Sequence, residues 1–249
     1  KTVTTIGFLL DYFKTEVYNT ATKRGTDIIT HQRDTVLFDF LARGLALSHR
    51  PFDALELASA PLNPARTPLL WVMMEKQCDA ATQQKLVDYV AGGGKLVLAG
   101  RICEQDFMGQ PCTILKDALD LRQIEDDAPF SYNEINAFQY VDIPVSFMQT
   151  YAGSFDEVIA SHDDGRVVGF IKSLGSGKAL VFGAAFGAFT LEDSDVVNQM
   201  ALKMGCPALF ETSEWADTRL SVGECGSFLF VSNYQDDPIA SVIKFAGKP

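Results

Sequence analysis

The chain is short of the residues that most often carry catalytic or compartment signals. It has three histidines, His31, His49 and His162, and five cysteines, Cys78, Cys103, Cys112, Cys206 and Cys225. The cysteines are odd in number and form no C-x-x-C pair, and no histidine stands at zinc-ligand spacing from them, so neither a disulfide framework nor a zinc module is expected. Idle thiols are the expectation, with no metal and no other cofactor. No apolar run reaches the roughly 18 residues of a membrane span, so no membrane is expected as a partner. Positive charge is scarce: 21 Lys and Arg stand against 32 Asp and Glu, a net charge of −11. Such a surface repels phosphate backbones, which argues against nucleic acid as a partner. The opening Lys1-Thr2-Val3-Thr4-Thr5-Ile6 lacks an initiating Met, a basic n-region and a signal-type apolar stretch. The expectation is a cytoplasmic bacterial location rather than secretion, and either a processed start or a piece of a longer protein.

What is present reads as α/β. Val3 to Leu10 is a buried-strand run. From Asp34, apolar residues Val36, Leu37, Phe40, Leu41 and Leu45 recur with helical period. Phe52 to Leu57 and the continuous apolar Leu69-Leu70-Trp71-Val72-Met73-Met74 are two more strands, the second typical of a central parallel strand. Asp79 is placed as an N-cap for a helix carrying Leu86, Val87 and Val90, and Gly92-Gly93-Gly94 stops it before the strand Lys95 to Gly100. Strand, helix and strand at this spacing make a right-handed βαβ unit. The first 100 residues or so therefore predict a flavodoxin-like, amidotransferase-like doubly wound sheet.

After Gly109 the pattern shifts. Cys112 to Leu121 predicts a short helix. Extra β-hairpins are expected from Ala137-Phe138-Gln139-Tyr140-Val141, Glu157 to Ala160 and Val167 to Ile171, with Asp163-Asp164-Gly165-Arg166 as a turn between the last two. Gly175-Ser176-Gly177-Lys178 lacks the full phosphate-loop frame and leads into a strand, so it reads as a hairpin turn. Asp193 is placed as the cap of a last helix with Val196, Val197, Met200, Ala201 and Met204 inward and Gly205 as its stop. Thr218 to Val222, Phe228 to Asn233 and Ala240 to Phe245 are short strands. The division expected is an α/β domain over 1–206 and a small, partial all-β domain over 207–249.

In such sheets ligands bind beyond the carboxyl ends of the strands. Tyr12, Lys14 and Glu16 follow the first strand, Glu75 the third, and Arg101 and Glu104 the fourth; these are the candidates for contact with a ligand or neighbouring subunit. Cys103 is a poor nucleophile candidate. Arg101-Ile102-Cys103-Glu104 lacks the small residues of a nucleophile elbow, and only His162 stands downstream as a base. Glu192, Asp193 and Asp195 read as charges complementing a helix N-terminus rather than a glycosidase acid/base pair. Trp71 is assigned to the core.

Two stretches carry a family resemblance: Ile6-Gly7-Phe8-Leu9-Leu10-Asp11-Tyr12-Phe13-Lys14-Thr15-Glu16, and Leu69 through Trp71, Gln84-Lys85-Leu86-Val87-Asp88-Tyr89-Val90, Gly92 to Leu98, Gly100 and Asp106, to Gly109-Gln110-Pro111-Cys112-Thr113-Ile114-Leu115. They resemble the region that follows the catalytic barrel in bacterial β-galactosidases of glycoside hydrolase family 35, akin to the trimerisation domain of family 42. The resemblance implies an accessory or oligomerisation role and catalytic residues on a barrel outside this chain. It therefore places no catalytic residue here and implies a chain inactive alone. It also implies an upstream barrel or a neighbouring subunit as partner, and a galactoside as the parent enzyme's substrate. Two alternatives are a cysteine-dependent amidotransferase-like hydrolase and a flavodoxin-like sugar-binding module.

Overall fold

The computed structural model describes residues 4–8, 41–74, 77–126, 133–145, 147–185, 191–213, 217–223, 225–233 and 237–245. Five parallel strands form its centre: β1 (Thr4–Phe8), β2 (Phe52–Glu56), β3 (Leu69–Met74), β4 (Lys95–Gly100) and β11 (Gly177–Phe182). They lie in the order β2-β1-β3-β4-β11, every neighbouring pair parallel. Beyond β11 the sheet turns antiparallel through β10 (Val167–Leu174), β9 (Glu157–Ser161), β6 (Asn133–Ala137) and β7 (Tyr140–Val145). A branch leaves β10 through β8 (Phe147–Gly153), which pairs with β5 (Leu121–Asp126) and with β12 (Ala184–Ala185). Among the described residues twelve strands join this way, making a mixed α/β sheet.

Side-chain alternation assigns the two faces. On β3, Leu69 and Trp71 enter one core, whereas Leu70, Val72 and Met74 enter the other. β4 repeats the division with Val97 and Ala99 against Leu96 and Leu98, and β11 with Leu180 and Phe182 against Ala179 and Val181. This is the period of two of an extended chain, and it explains why a strand apolar at every position is stable only when both faces are covered. Helix α1 (41–47) and helix α4 (Leu191–Lys203) cover the first face, with Leu41, Leu45, Val196, Val197, Met200 and Ala201 buried. Helix α2 (Ala80–Ala91) and the short α3 (Ile114–Ala118) cover the second through Leu86, Tyr89, Val90 and Leu115. Each fully buried large side chain contributes roughly 1.5–3 kcal/mol relative to exposure.

The β3-α2-β4 unit forms as its sequence predicts. Asp79 Oδ1 accepts from Thr82 N at 2.9 Å, and the Gly92 to Gly94 turn takes φ +102° at Gly93. Helix α4 turns Val196, Val197, Met200 and Ala201 inward and ends at Lys203, followed by buried Met204 and by Gly205 at φ +65°. It starts at Leu191, however, so Asp193 lies in its first turn instead of at its cap.

Two further expectations change. The Ala137 to Val141 run is not one strand: Phe138 adopts φ 55° and the chain reverses there from β6 to β7. The helix after Cys112 is confined to Ile114–Ala118, because Asp120 at φ 56° breaks it and Leu121 opens β5.

At the C-terminal end, β13 (Phe210–Thr212) pairs with β16 (Ile243–Phe245), and β14 (Asp217–Gly223) with β15 (Gly226–Ser232). His49 ties this segment to the body. Its Nε2 is 3.0 Å from Thr212 Oγ1, its Nδ1 is 2.6 Å from Thr218 Oγ1, and its ring packs on Phe210 at 4.9 Å. Among the described residues no helix is long and apolar enough to cross a membrane.

Candidate functional site at the carboxyl ends of the central strands

The parallel strands β3, β4 and β11 bring their carboxyl ends to one rim. Gly100 takes φ +110°, which only glycine adopts cheaply, and the chain leaves the sheet there. Arg101 N still donates to Met74 O at 2.7 Å, so the turn stays fastened to β3.

The Arg101 side chain folds inward. Only 3% of it is exposed, and its Nε lies 2.8 Å from Asp126 Oδ1, on β5. The guanidinium also stacks 4.7 Å from the ring centre of Phe147. Gln149 closes the network: its Nε2 donates to Asp126 Oδ1 at 3.0 Å, and its Oε1 accepts from Ile102 N at 2.6 Å and from Tyr151 OH at 2.9 Å. Burial, followed by the nearby Asp126 charge, pushes the Tyr151 hydroxyl well above the usual tyrosine range, so it stays protonated and donates. A buried charge in this setting is compensated rather than available.

The loop beyond is equally well fastened. Buried Gln83 of α2 donates to Cys78 O at 2.9 Å and to Cys112 O at 3.1 Å, and accepts from Leu115 N. Asp106 Oδ1 accepts from Met108 N and Gln110 N, both at 2.8 Å. Glu104 lies on this loop, 2.5 Å from Lys116 Nζ and partly exposed.

Of the candidate contact residues, the structure therefore places Arg101 inside the rim and Glu104 on its surface. Tyr12, Lys14, Glu16 and Glu75 lie outside the described residues.

Cys103 is fully buried, with its Sγ 3.4 Å from Met74 Sδ. Its neighbour Cys78 is also fully buried, and the hydrogen bond to Cys103 together with burial drives the Cys78 thiol far above its ordinary value. His162 sits in the β9–β10 turn with its Nδ1 3.0 Å from Asp164. Gly175 and Ser176 form the β10–β11 hairpin turn, and Gly177 and Lys178 already pair in β11.

A second polar centre escaped the sequence reading. Asp195 accepts from Tyr140 OH at 2.8 Å, Asn198 Nδ2 at 2.6 Å, Gln199 Nε2 at 3.0 Å and Gln139 Nε2 at 3.1 Å. Burial alone would raise its pKa, but these donors outweigh burial and hold the carboxyl below the usual range. It links α4 to the β6–β7 hairpin, a pairing across more than 50 residues that no local pattern announces.

The model of the GLMA-like second-domain family matches residues 20–156, more than half of the chain. The chain belongs to the GLMA-like second-domain family. This GLMA-like domain is 26% identical over 208 residues to a β-1,2-glucosyltransferase of Ignavibacterium album, covering 78% of the present chain but 29% of that protein. Its fold matches a family 42 β-galactosidase of G. stearothermophilus with a TM-score of 0.72 at 13% identity, over 98% of this chain and 39% of that one. A β-galactosidase of the haloarchaeon Halorubrum lacusprofundi matches with a TM-score of 0.61 at 13% identity, over 99% and 40% of the two chains. The GLMA-like domain thus spans well under half the length of each of these relatives.

Proposed function

We propose that this GLMA-like domain is the accessory, oligomerisation-bearing part of a β-galactosidase-type carbohydrate-active enzyme, with the catalytic barrel elsewhere in the parent protein. The observation that carries this reading is the extent of the match. Nearly the whole chain fits the fold of a β-galactosidase while filling 39% of that protein's length. The relatives whose names describe glycoside hydrolysis or glucosyl transfer are all much longer than the region they share with this chain. The kinship to family 35 is part of the same reading.

The central order β2-β1-β3-β4-β11 supports a flavodoxin-like, amidotransferase-like doubly wound sheet, with residues 207–249 as a partial β domain. On such a sheet Tyr12, Lys14, Glu16, Glu75 and Glu104 provide contacts with the barrel or a neighbouring subunit. Arg101, buried against Asp126, holds the turn that carries Glu104. A cysteine hydrolase is disfavoured by the burial of Cys103 and Cys78, because a reactive thiol needs access and a depressed pKa. A galactoside as the parent's substrate and a cytoplasmic location complete the proposal.

The test compares the parent protein with a variant lacking this domain, by light scattering and by hydrolysis of a chromogenic β-galactoside. A lower oligomeric state in the deletion variant supports the role. An unchanged assembly overturns it.

A further inference from the structure

Three large apolar side chains of β15 stand in solvent: Phe228 is 69% exposed, Phe230 60% and Val231 50%. β15 pairs with β14 alone, in a two-stranded sheet without a register shift. Gly223 stands opposite Gly226 at the closed end of that hairpin. The closing pair of a tight hairpin exchanges hydrogen bonds, and so does every second pair beyond it. The backbones of Phe228 and Phe230 therefore bond to β14, while the N–H and C=O groups of Leu229 and Val231 point to the outer edge. No strand among the described residues takes that edge.

An edge strand is ordinarily blunted by charge, proline or a bulge. Gly226 to Ser232 has no charged residue, no proline and no bulge. Its apolar side chains occupy both faces, Phe228 and Phe230 on one, Leu229 and Val231 on the other. That is the pattern of a strand with neighbours and cover. A two-stranded hairpin by itself is marginally stable in water, and a third strand is what usually secures it. β15 thus has the composition of an inner strand in the position of an edge.

We propose that the outer edge of β15 is taken, in the parent protein, by a further strand of the same polypeptide, with apolar side chains from that part covering Phe228 and Phe230. The proposal rests on the reading of a longer parent given above. The two β-galactosidases match 98% and 99% of this chain with only 39% and 40% of their own length, so relatives of this fold have chain to spare. A second copy of the domain fits less well. The three exposed side chains offer roughly 300 Å² of apolar surface, against about 800 Å² per partner in a stable interface. Two chains of net charge −11 repel each other. Edge-to-edge pairing of two copies also leaves Phe228 and Phe230 uncovered. His49 fastens Thr218 of β14 to the body, so a strand added to β15 couples the rest of the parent to this domain.

The test reads amide exchange at single residues in the 249-residue chain and in the full-length parent. In the chain, Leu229 and Val231 are expected to exchange about tenfold or more faster than Phe228 and Phe230. In the parent they are expected to slow to the rate of Phe228 and Phe230. Equal exchange of Leu229 and Val231 in the two proteins overturns the proposal. So does protection in the chain that grows with its concentration, which marks a second copy. This comparison needs no substitution. Parent protein carrying Phe230→p-benzoylphenylalanine then identifies the occupant. Irradiation is expected to join two points of one chain, and a covalent dimer or no cross-link at all overturns the proposal. The oligomerisation role fails in the deletion experiment instead, whatever these amides do.

Discussion

Arg101 Nε lies 2.8 Å from Asp126 Oδ1, joining the turn after β4 to the final residue of β5. The arginine is 3% exposed and the aspartate 27%. Removing one partner of such a pair leaves a buried charge behind, which typically costs about 3–5 kcal/mol when both are buried. Because Asp126 retains some solvent, Asp126→Ala is expected to cost about 2–3 kcal/mol in urea unfolding. The double variant Arg101→Met with Asp126→Leu is expected to be more stable than Asp126→Ala. A double variant no better than the single one would show that packing, not charge compensation, is what the pair provides.

Asp195 gives an acid-limb prediction. Its folded pKa is lowered, so its stabilisation is fully present above the unfolded value near 3.8 and is lost as pH falls through the lower folded value. Asp195→Ala leaves Tyr140, Asn198 and Gln199 without their shared acceptor and is expected to cost about 1–3 kcal/mol at neutral pH. The difference between wild type and variant should shrink below about pH 4. Thermal melts between pH 3 and 7 measure both effects.

Gly177 tests the seam between helix and sheet. A Cβ there would stand 2.2 Å from Gly94 O and from Val90 O, both backbone atoms that cannot rotate away. Gly177→Ala is expected to destabilise by more than about 3 kcal/mol, or to prevent folding. Gly165 in the β9–β10 turn has open space around it and pays only for φ +87°, so Gly165→Ala is expected to cost about 1–2 kcal/mol. Urea midpoints of the two variants check the order.

His49 anchors the C-terminal strands through Thr212 and Thr218. His49→Asn tolerates the left-handed backbone, φ 55°, but shortens the reach to both hydroxyls. Amide exchange of residues 210–213 and 217–220 is expected to rise at least tenfold, with β3 and β4 unchanged. Equal protection in both proteins would remove His49 from this role.

The parallel half was legible because its signals are local. β3, β4 and β11 are continuous apolar runs, Asp79 and Gly92 to Gly94 punctuate α2, and each acts within a few residues. The antiparallel half hid its strands. β5 buries Leu121 and shows mostly polar residues outward, so it lacks a strand-like alternation; only Leu121 entered the reading, as the end of the expected helix. Phe138 turns the chain with a positive φ that phenylalanine does not advertise. The Arg101 turn was visible, but its direction was not. Asp126 and Gln149 reach it through β5–β8 pairing, which aligns residues 25 and 48 positions away and leaves no periodic trace. Asp195 was read as a helix-end charge because three of its four donors, Gln139, Tyr140 and Gln199, come from positions that a helix-cap reading does not inspect.

The central claim is that this domain supports an enzyme without being its catalytic part. The most direct measurement is hydrolysis of a chromogenic β-galactoside, and transfer from an activated glucosyl donor, by the purified 249-residue chain beside the full-length parent. The account predicts activity in the parent and none above buffer in the chain. Turnover by the chain at a rate comparable to the parent's would contradict it.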